Sequence, residues 1–388
     1  MPKINQIYSL LNDINKQMWG EDAIDVHDLS GIISMGSNLI GNAVGTDKFL
    51  NTLVDRIGKT IIRTLDLELE FPGLFMNEFE FGAVLQKISV NPFSAIENAA
   101  YNVGDVGFTP TMLDIHKPSV VVKYFSGIDT WKFQVTIPDD LLSTAFTSET
   151  EMNNFITAII SAMTDSMTMS INNMSRTAVN NFIAEKFKLQ SNNCINLLDE
   201  YLTSSPSATT TVDTALVDPE FVKFAVNYIR KYVKYMSMPS KLYNEEGLVR
   251  ATARDNMHIL ALTDFVAAEE AYLENDAFQN IIKLPGYTEV GYWQANKGAT
   301  KINDFATNSS IKITPSSEEG QQTPTDVEQS GIICVMADRQ AIAVGLNKRR
   351  SGSFYNSIDG YENISSSAAI QYINDLSENG VIFYIATP

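Results

Sequence analysis

Cysteine and histidine are scarce in this chain, with two of the former and three of the latter among 388 residues. A disulfide framework needs several paired cysteines, and a zinc site needs Cys and His at ligand spacing, so neither organises this fold. Cys194 and Cys334 read as small hydrophobes. No stretch approaches the roughly 18 uncharged apolar residues of a membrane span. The opening MPKINQIYSLLNDINKQMWG lacks the apolar core and small-residue cleavage site of a secretory leader, so synthesis in the cytoplasm is expected. Positive charge is also in short supply. Twenty-eight basic residues against 46 acidic ones leave a formal charge of −18, which argues against a protein that reads nucleic-acid sequence.

Signatures of chemistry are missing too. HExxH and GxSxG do not occur. GIISMGSNLIGNAVGT, Gly31 to Thr46, has the glycines of a phosphate loop but neither a lysine–serine pair nor a preceding strand, so it reads as an adaptable arm. His27, His116 and His258 sit in three unrelated segments. His258, in an apolar strand, reads as a hydrogen-bonded boundary residue, and nothing brings it within the roughly 3 Å of Cys334 that a nucleophile and base require. The acidic pairs Asp139-Asp140, Glu269-Glu270 and Glu318-Glu319 read as solvated neighbours whose carboxylates point apart. No catalytic residue, no metal ligand and no cofactor is expected. A chain this long without a chemical constellation is more often structural.

What the sequence does have is one apolar face of unusual length. From Thr147 to about Phe187, Phe155, Ile159, Met163, Met167, Met174 and Phe182 recur, with Ile156, Ile160, Ile171 and Ile183 between them, at three- and four-residue steps. No proline or glycine interrupts the run. A helix of about 38 residues is roughly 57 Å long, against an average of about 11 to 12 residues. Such a helix suits a strut in an assembling subunit better than the wall of a pocket. Ser143 or Thr147 is placed to cap it.

Upstream, Ile4 to Trp19 reads as a short amphipathic helix and Phe49 to Leu65 as another, with Gly58 as a break. From Leu65 the period changes to two. LDLELEF and FEFGAVLQKISVNPF alternate as strands around a Pro72-Gly73 turn and carry Phe71, Leu74, Phe75, Phe79 and Phe81. A hairpin packed on its own domain and a projecting loop covered by a neighbouring subunit both fit this pattern. Ser119 to Thr136 reads as two strands, Leu202 to Glu220 as a surface loop, and Phe221 to Met236 as a helix with a basic face of Lys223, Arg230, Lys231 and Lys234. An α/β portion follows. It has strands at Met257 to Thr263 and Ile311 to Thr314, GIICVMAD with AIAVGLN as its neighbour, and a closing strand within Gly380 to Thr387 that lies inside a sheet. Lys348-Arg349-Arg350 is the densest positive cluster and reads either as a solvated loop or as a contact to phosphate or to a neighbour's acidic face.

Three segments carry a family resemblance. LVDRIGKTIIR (Leu53 to Arg63) resembles the opening of the core domain in major capsid proteins of small, short-tailed, protein-primed phages of Gram-positive bacteria. FGAVLQKISVNPF (Phe81 to Phe93) resembles the returning part of their extended loop. FQVTIPDDLLSTAFTSETEMNNFITAIISAM (Phe133 to Met163) is similar to their strand, aspartate-bearing turn, TAF segment and the start of the spine helix. The resemblance implies an α+β, Hong Kong 97-type capsid fold. Its parts would be an N-terminal arm at 1–50, the start of the core at 51–63, and an extended loop at 64–115. A peripheral domain at 116–239 would hold the spine helix at about 149–187, followed by an axial domain at 240–340 and a return at 341–388. It favours the projecting-loop reading, with Leu74, Phe75, Phe79 and Phe81 on a neighbouring subunit. It also implies a non-enzymatic protein that tiles an icosahedral or prolate head around double-stranded DNA without sequence recognition. The implied partners are copies of itself as hexamers and pentamers, a scaffolding protein and a portal, with no membrane. No Lys–Asn crosslink is assigned, and the chain is too short for an added immunoglobulin-like C-terminal domain. The competing classes are a hydrolase with an interdomain cleft and another phage structural protein, such as a portal or tail component.

Overall fold

The computed structural model describes residues 11–17, 27, 31, 33–35, 70–76, 85–93, 117, 119–125, 128–138, 149–273, 284–294, 309–318, 323 and 325–388, with the backbone alone for 149–164 and for a few positions of the strand at 342–356. The dominant element is α1, Glu149–Lys188, 40 residues without a break. Its span follows from the uninterrupted apolar spacing and the absence of helix breakers. Met167, Met174 and Phe182 are buried at 3%, 3% and 0% exposure. Phe155, Ile159 and Met163 lie on the same helix, with side chains outside the described set. The caps proposed at Ser143 and Thr147 also fall outside the described residues.

The C-terminus of α1 is closed by the backbone. Ser191 N–H donates to the Lys186 carbonyl at 3.1 Å and Gln190 N–H to the Phe187 carbonyl at 3.0 Å. This crossed pair is a Schellman cap, and it holds Gln190 at φ 50°, a left-handed conformation usually given to glycine.

Two sheets meet α1. β3 (Ile128–Pro138), β10 (Ile342–Asn356) and β11 (Tyr361–Asn374) form a three-stranded antiparallel sheet in the order β10-β11-β3. β4 (Cys194–Asn196), β5 (Met257–Leu262), β6 (Thr288–Val290), β9 (Ile332–Asp338) and β12 (Gly380–Tyr384) form a mixed sheet in the order β4-β12-β9-β5-β6. β12 lies inside this sheet, between β4 and β9, as its apolar run requires. AIAVGLN, expected beside GIICVMAD, opens β10 in the other sheet instead. The neighbours of β9 are β12 and β5. Two apolar strands joined by a short turn read as a hairpin, but here the chain crosses from one sheet to the next at Arg339-Gln340. β7 (Ile311–Ile313) and β8 (Val327–Gln329) pair antiparallel near α1.

The five-stranded sheet is covered on both faces, which is why β9 is buried along its whole length. Ile259, Ala261, Met336, Val381 and Phe383 face one core with α2 (Leu197–Ser204), α3 (Pro219–Met236) and α4 (Thr263–Leu273). Leu260, Leu262, Val335, Ala337 and Ile382 face a second core with α1, β10 and β11. Strand alternation thus makes one sheet the partition between two helical layers. It also places α2 and α3 with this sheet, across the border expected at 239/240. Among the described residues, the surface between the α/β portion and the long helix, where an interdomain cleft would lie, is packed with apolar side chains. No described helix is long and apolar enough to cross a membrane.

Little of the arm expected at 1–50 is described. Residues 11–17 are helical, with Leu11 and Ile14 at 0% exposure, and residues 33–35 are helical within the glycine-rich run that was expected to be adaptable.

Candidate assembly surface

Among the described residues no group of three His, Cys, Asp or Glu side chains converges on a metal position. His258 pairs with Ala337 across β5 and β9, whereas Cys334 pairs with Ala261. Three register positions, about 10 Å, separate them, so no nucleophile–base pair exists there. Burial pushes the Cys334 thiol upward and raises Cys194 to about 12, which favours the protonated thiol over the nucleophilic thiolate at neutral pH. The surface that invites a function is apolar and lies ahead of α1.

The root of that region folds back onto its own subunit. Arg176 on α1 grips the Glu70 carboxylate with two hydrogen bonds of 2.8 and 2.7 Å, and Glu70 N–H donates to Asn172 Oδ1 at 3.1 Å. A 3-10 turn at Pro72–Leu74 then inserts Phe71 and Leu74, at 3% and 1% exposure, beneath α1. Gly73 lies against the His258 ring so closely that a Cβ there would meet Cε1 at 2.6 Å. Phe75 bridges to Val344 on the edge of β10, and Met76 N–H donates to the Val344 carbonyl at 2.9 Å. Leu74, expected to reach a neighbour, is therefore used inside its own core, and half-buried Phe75 packs there too. The reason is the turn at Pro72–Leu74, which closes back on α1. Phe79 and Phe81 lie outside the described residues.

Further along, β1 (Leu85–Val90) pairs antiparallel with β2 (Val120–Phe125), from Leu85 opposite Phe125 to Val90 opposite Val120. Among the described residues the partner of β1 is thus a strand more than thirty residues on; the segment expected beside it, just before Pro72-Gly73, lies largely outside the described residues. Alternation sorts the ribbon into two faces. Leu85 and Phe125 turn inward onto Ala343 and Ile373, and Gln371 Nε2 donates to the Phe125 carbonyl at 3.1 Å. Lys87 and Lys123 also turn inward. Lys87 Nζ meets Asp375 at 2.6 Å and Glu378 at 2.8 Å, while Lys123 Nζ meets Asp375 at 2.9 Å and also Glu246. Arg250 closes the cluster on Glu378 at 3.1 Å. Burial alone would raise the Asp375 carboxyl. The Lys87 charge, with hydrogen bonds from Lys87, Ser377 and Lys123, outweighs it and sets the pKa at about 2.

Among the described residues the outer face has no such partners. Ile88 lies opposite Val122 and Val90 opposite Val120, at 61%, 41%, 50% and 48% exposure. Tyr124 extends this stripe and is more exposed still, as is Phe93 just past β1. Apolar side chains aligned across a two-stranded ribbon make a flat adhesive patch. The sequence marks both segments as strands but not their pairing, which joins residues more than thirty positions apart.

The basic triplet lies on β10, where Lys348, Arg349 and Arg350 are opposite Ala369, Ala368 and Ser367, just past a register shift. It is on a strand and not a loop, and Arg350 is exposed.

Comparison with known proteins agrees with this architecture. A family model described as "Phi29-like phage major capsid protein" matches residues 11–384. The major capsid protein of Bacillus phage PZA is 20% identical over 300 residues, covering 74% of this chain and 62% of that protein, less than two thirds of its length. The capsid structure of Staphylococcus phage Andhra has the same fold, with a TM-score of 0.54 and 12% identity over 83% of this chain and 86% of that one. A chain from the bacteriophage P68 head fiber and inner core protein structure aligns over 82% of this chain and 85% of its own, with 10% identity and a TM-score of 0.49.

Proposed function

The chain belongs to the Phi29-like phage major capsid protein family, and from that premise we propose that its copies close into a phage head around double-stranded DNA. Its role is mechanical, not enzymatic. The observation that carries the reading is the family match along nearly the whole chain, on a fold whose longest element is an unbroken strut. The outer face of the β1–β2 ribbon supplies the joint between subunits, taking over the part first expected of Leu74 and Phe75. Covering about 200 Å² of apolar surface there contributes about 5 kcal/mol per joint. Lys348, Arg349 and Arg350 add a basic contact to a neighbour's acidic surface. Hexamers and pentamers, a scaffolding protein, a portal and synthesis in the host bacterial cytoplasm complete the proposal. The acidic balance keeps packaged DNA from adhering to the wall.

Expression alone and together with a scaffolding protein, followed by light scattering and electron microscopy, tests this function. Closed megadalton particles support it. A small discrete oligomer returns the chain to the hydrolase class, and a twelve-membered ring returns it to the portal class.

A further inference from the structure

The basic helix face noted in the sequence has no part in the ribbon joint, and the structure gives it a definite polarity. Arg230, Lys231 and Lys234 lie exposed on the C-terminal half of α3, with Lys241 just beyond it. Among the described residues no carboxylate pairs with any of the four. Lys231 lies over the Tyr228 ring at 5.6 Å. Beside them Tyr235, Met238 and Leu242 are 48%, 54% and 72% exposed. At the other end of the helix the charge reverses. Asp213 and Glu220 are exposed, with Asp199 exposed on α2, and Val212 and Val217 are 39% and 63% exposed. Lys223 pairs with Glu220 at 3.4 Å and only partly offsets this acidic end. Glu220 and Lys234 are 14 helical residues apart, about 21 Å.

Each end of α3 thus presents an excess of charge of one sign, diluted by Lys223 at the acidic end and by Glu200 near Tyr228 at the basic end, beside uncovered apolar side chains, and the two ends are complementary. We propose that the basic end of α3 in one copy docks on the acidic end of α3 in the next, head to tail around a rotation axis. A second copy fits better than any other occupant, because both halves of the contact are present on one chain. A contact between unlike patches closes into a ring when the rotation permits. Acidic residues at a helix N-terminus and basic ones at its C-terminus also complement the helix dipole. That role needs no exposed valine, methionine or leucine at either end. The proposal rests on the shell reading, since only an assembling subunit repeats such a contact.

Two variants and one crosslink test it. Lys231→Glu/Lys234→Glu and Asp213→Lys/Glu220→Lys should each raise the concentration needed for assembly by about tenfold. The four changes combined should restore it, because the reversed poles match again. Lowered assembly that adds up in the combined variant marks a helix-dipole role only and overturns the contact. Loss of nucleic-acid binding in the lysine variant, with assembly untouched in both pairs, overturns it in favour of an anionic polymer. Val217→Cys/Met238→Cys, too far apart to bridge within one chain, should give a ladder of disulfide-linked copies that neither single variant gives. A ladder without closed particles keeps the contact and removes the shell reading. Closed particles with neither ladder nor rescue keep the shell and remove the contact.

Discussion

Asp375 holds the ribbon to the body through two lysines that arrive from strands 288 and 252 residues away in sequence. Its folded pKa lies below the ordinary carboxylate value, so its contribution is complete above about pH 4 and is lost as pH falls toward about 2. A urea titration at several pH values should show the unfolding midpoint dropping in that window, and Asp375→Asn should shrink the drop, the remainder coming from other carboxylates such as Glu245, which Lys186 holds below its usual range against its burial. The same variant leaves Lys87 and Lys123 without their shared partner and should cost about 3 kcal/mol at neutral pH. A pH profile unchanged by the substitution would remove the clamp from the account. Gln190 offers the opposite test. It holds a left-handed backbone that glycine adopts without a Cβ clash, so Gln190→Gly should stabilise the chain by about 0.5 to 1 kcal/mol, read as a raised Tm.

At the scale of elements, two apolar groups ahead of α1 have opposite fates, and substitution separates them. Leu74 is buried in its own core, so Leu74→Ala should cost about 2 to 5 kcal/mol of folding stability. Ile88 and Val122 are exposed, so Ile88→Lys/Val122→Lys should shift subunit stability by no more than about 0.5 kcal/mol while blocking assembly. Thermal unfolding of the subunit and sedimentation of the assembled fraction read the two effects separately. The contrast also marks where sequence reasoning reached its limit. A helix of α1's length was legible because thirteen apolar residues keep one period and no glycine or proline intervenes. β11 was not, because Ser365, Ser366, Ser367, Ala368 and Ala369 give almost no contrast between its inward and outward positions. The β1–β2 pairing was hidden for a different reason. It joins residues more than thirty positions apart, and its inward lysines meet carboxylates from segments far away in sequence.

Among the described residues, one five-stranded sheet separates a core built on α1 from a core built on α3. The outline of the fold was readable in advance, because long periodic segments and continuous apolar strands fix which elements exist. The crossing of the chain from β9 to β10 was not, since a turn of two residues carries no mark of the sheet it leads to. The candidate surface was half readable: a strand at Leu85–Val90 was foreseen, but Leu74 and Phe75, two of the four residues expected at the contact, fold back onto their own core, and Phe79 and Phe81 lie outside the described residues. The most direct test is electron microscopy of the purified chain, expressed with and without a scaffolding protein. The account predicts closed shells of many copies, with the ribbon's outer face covered by the adjacent subunit. A monodisperse small oligomer with that face open to solvent would contradict it.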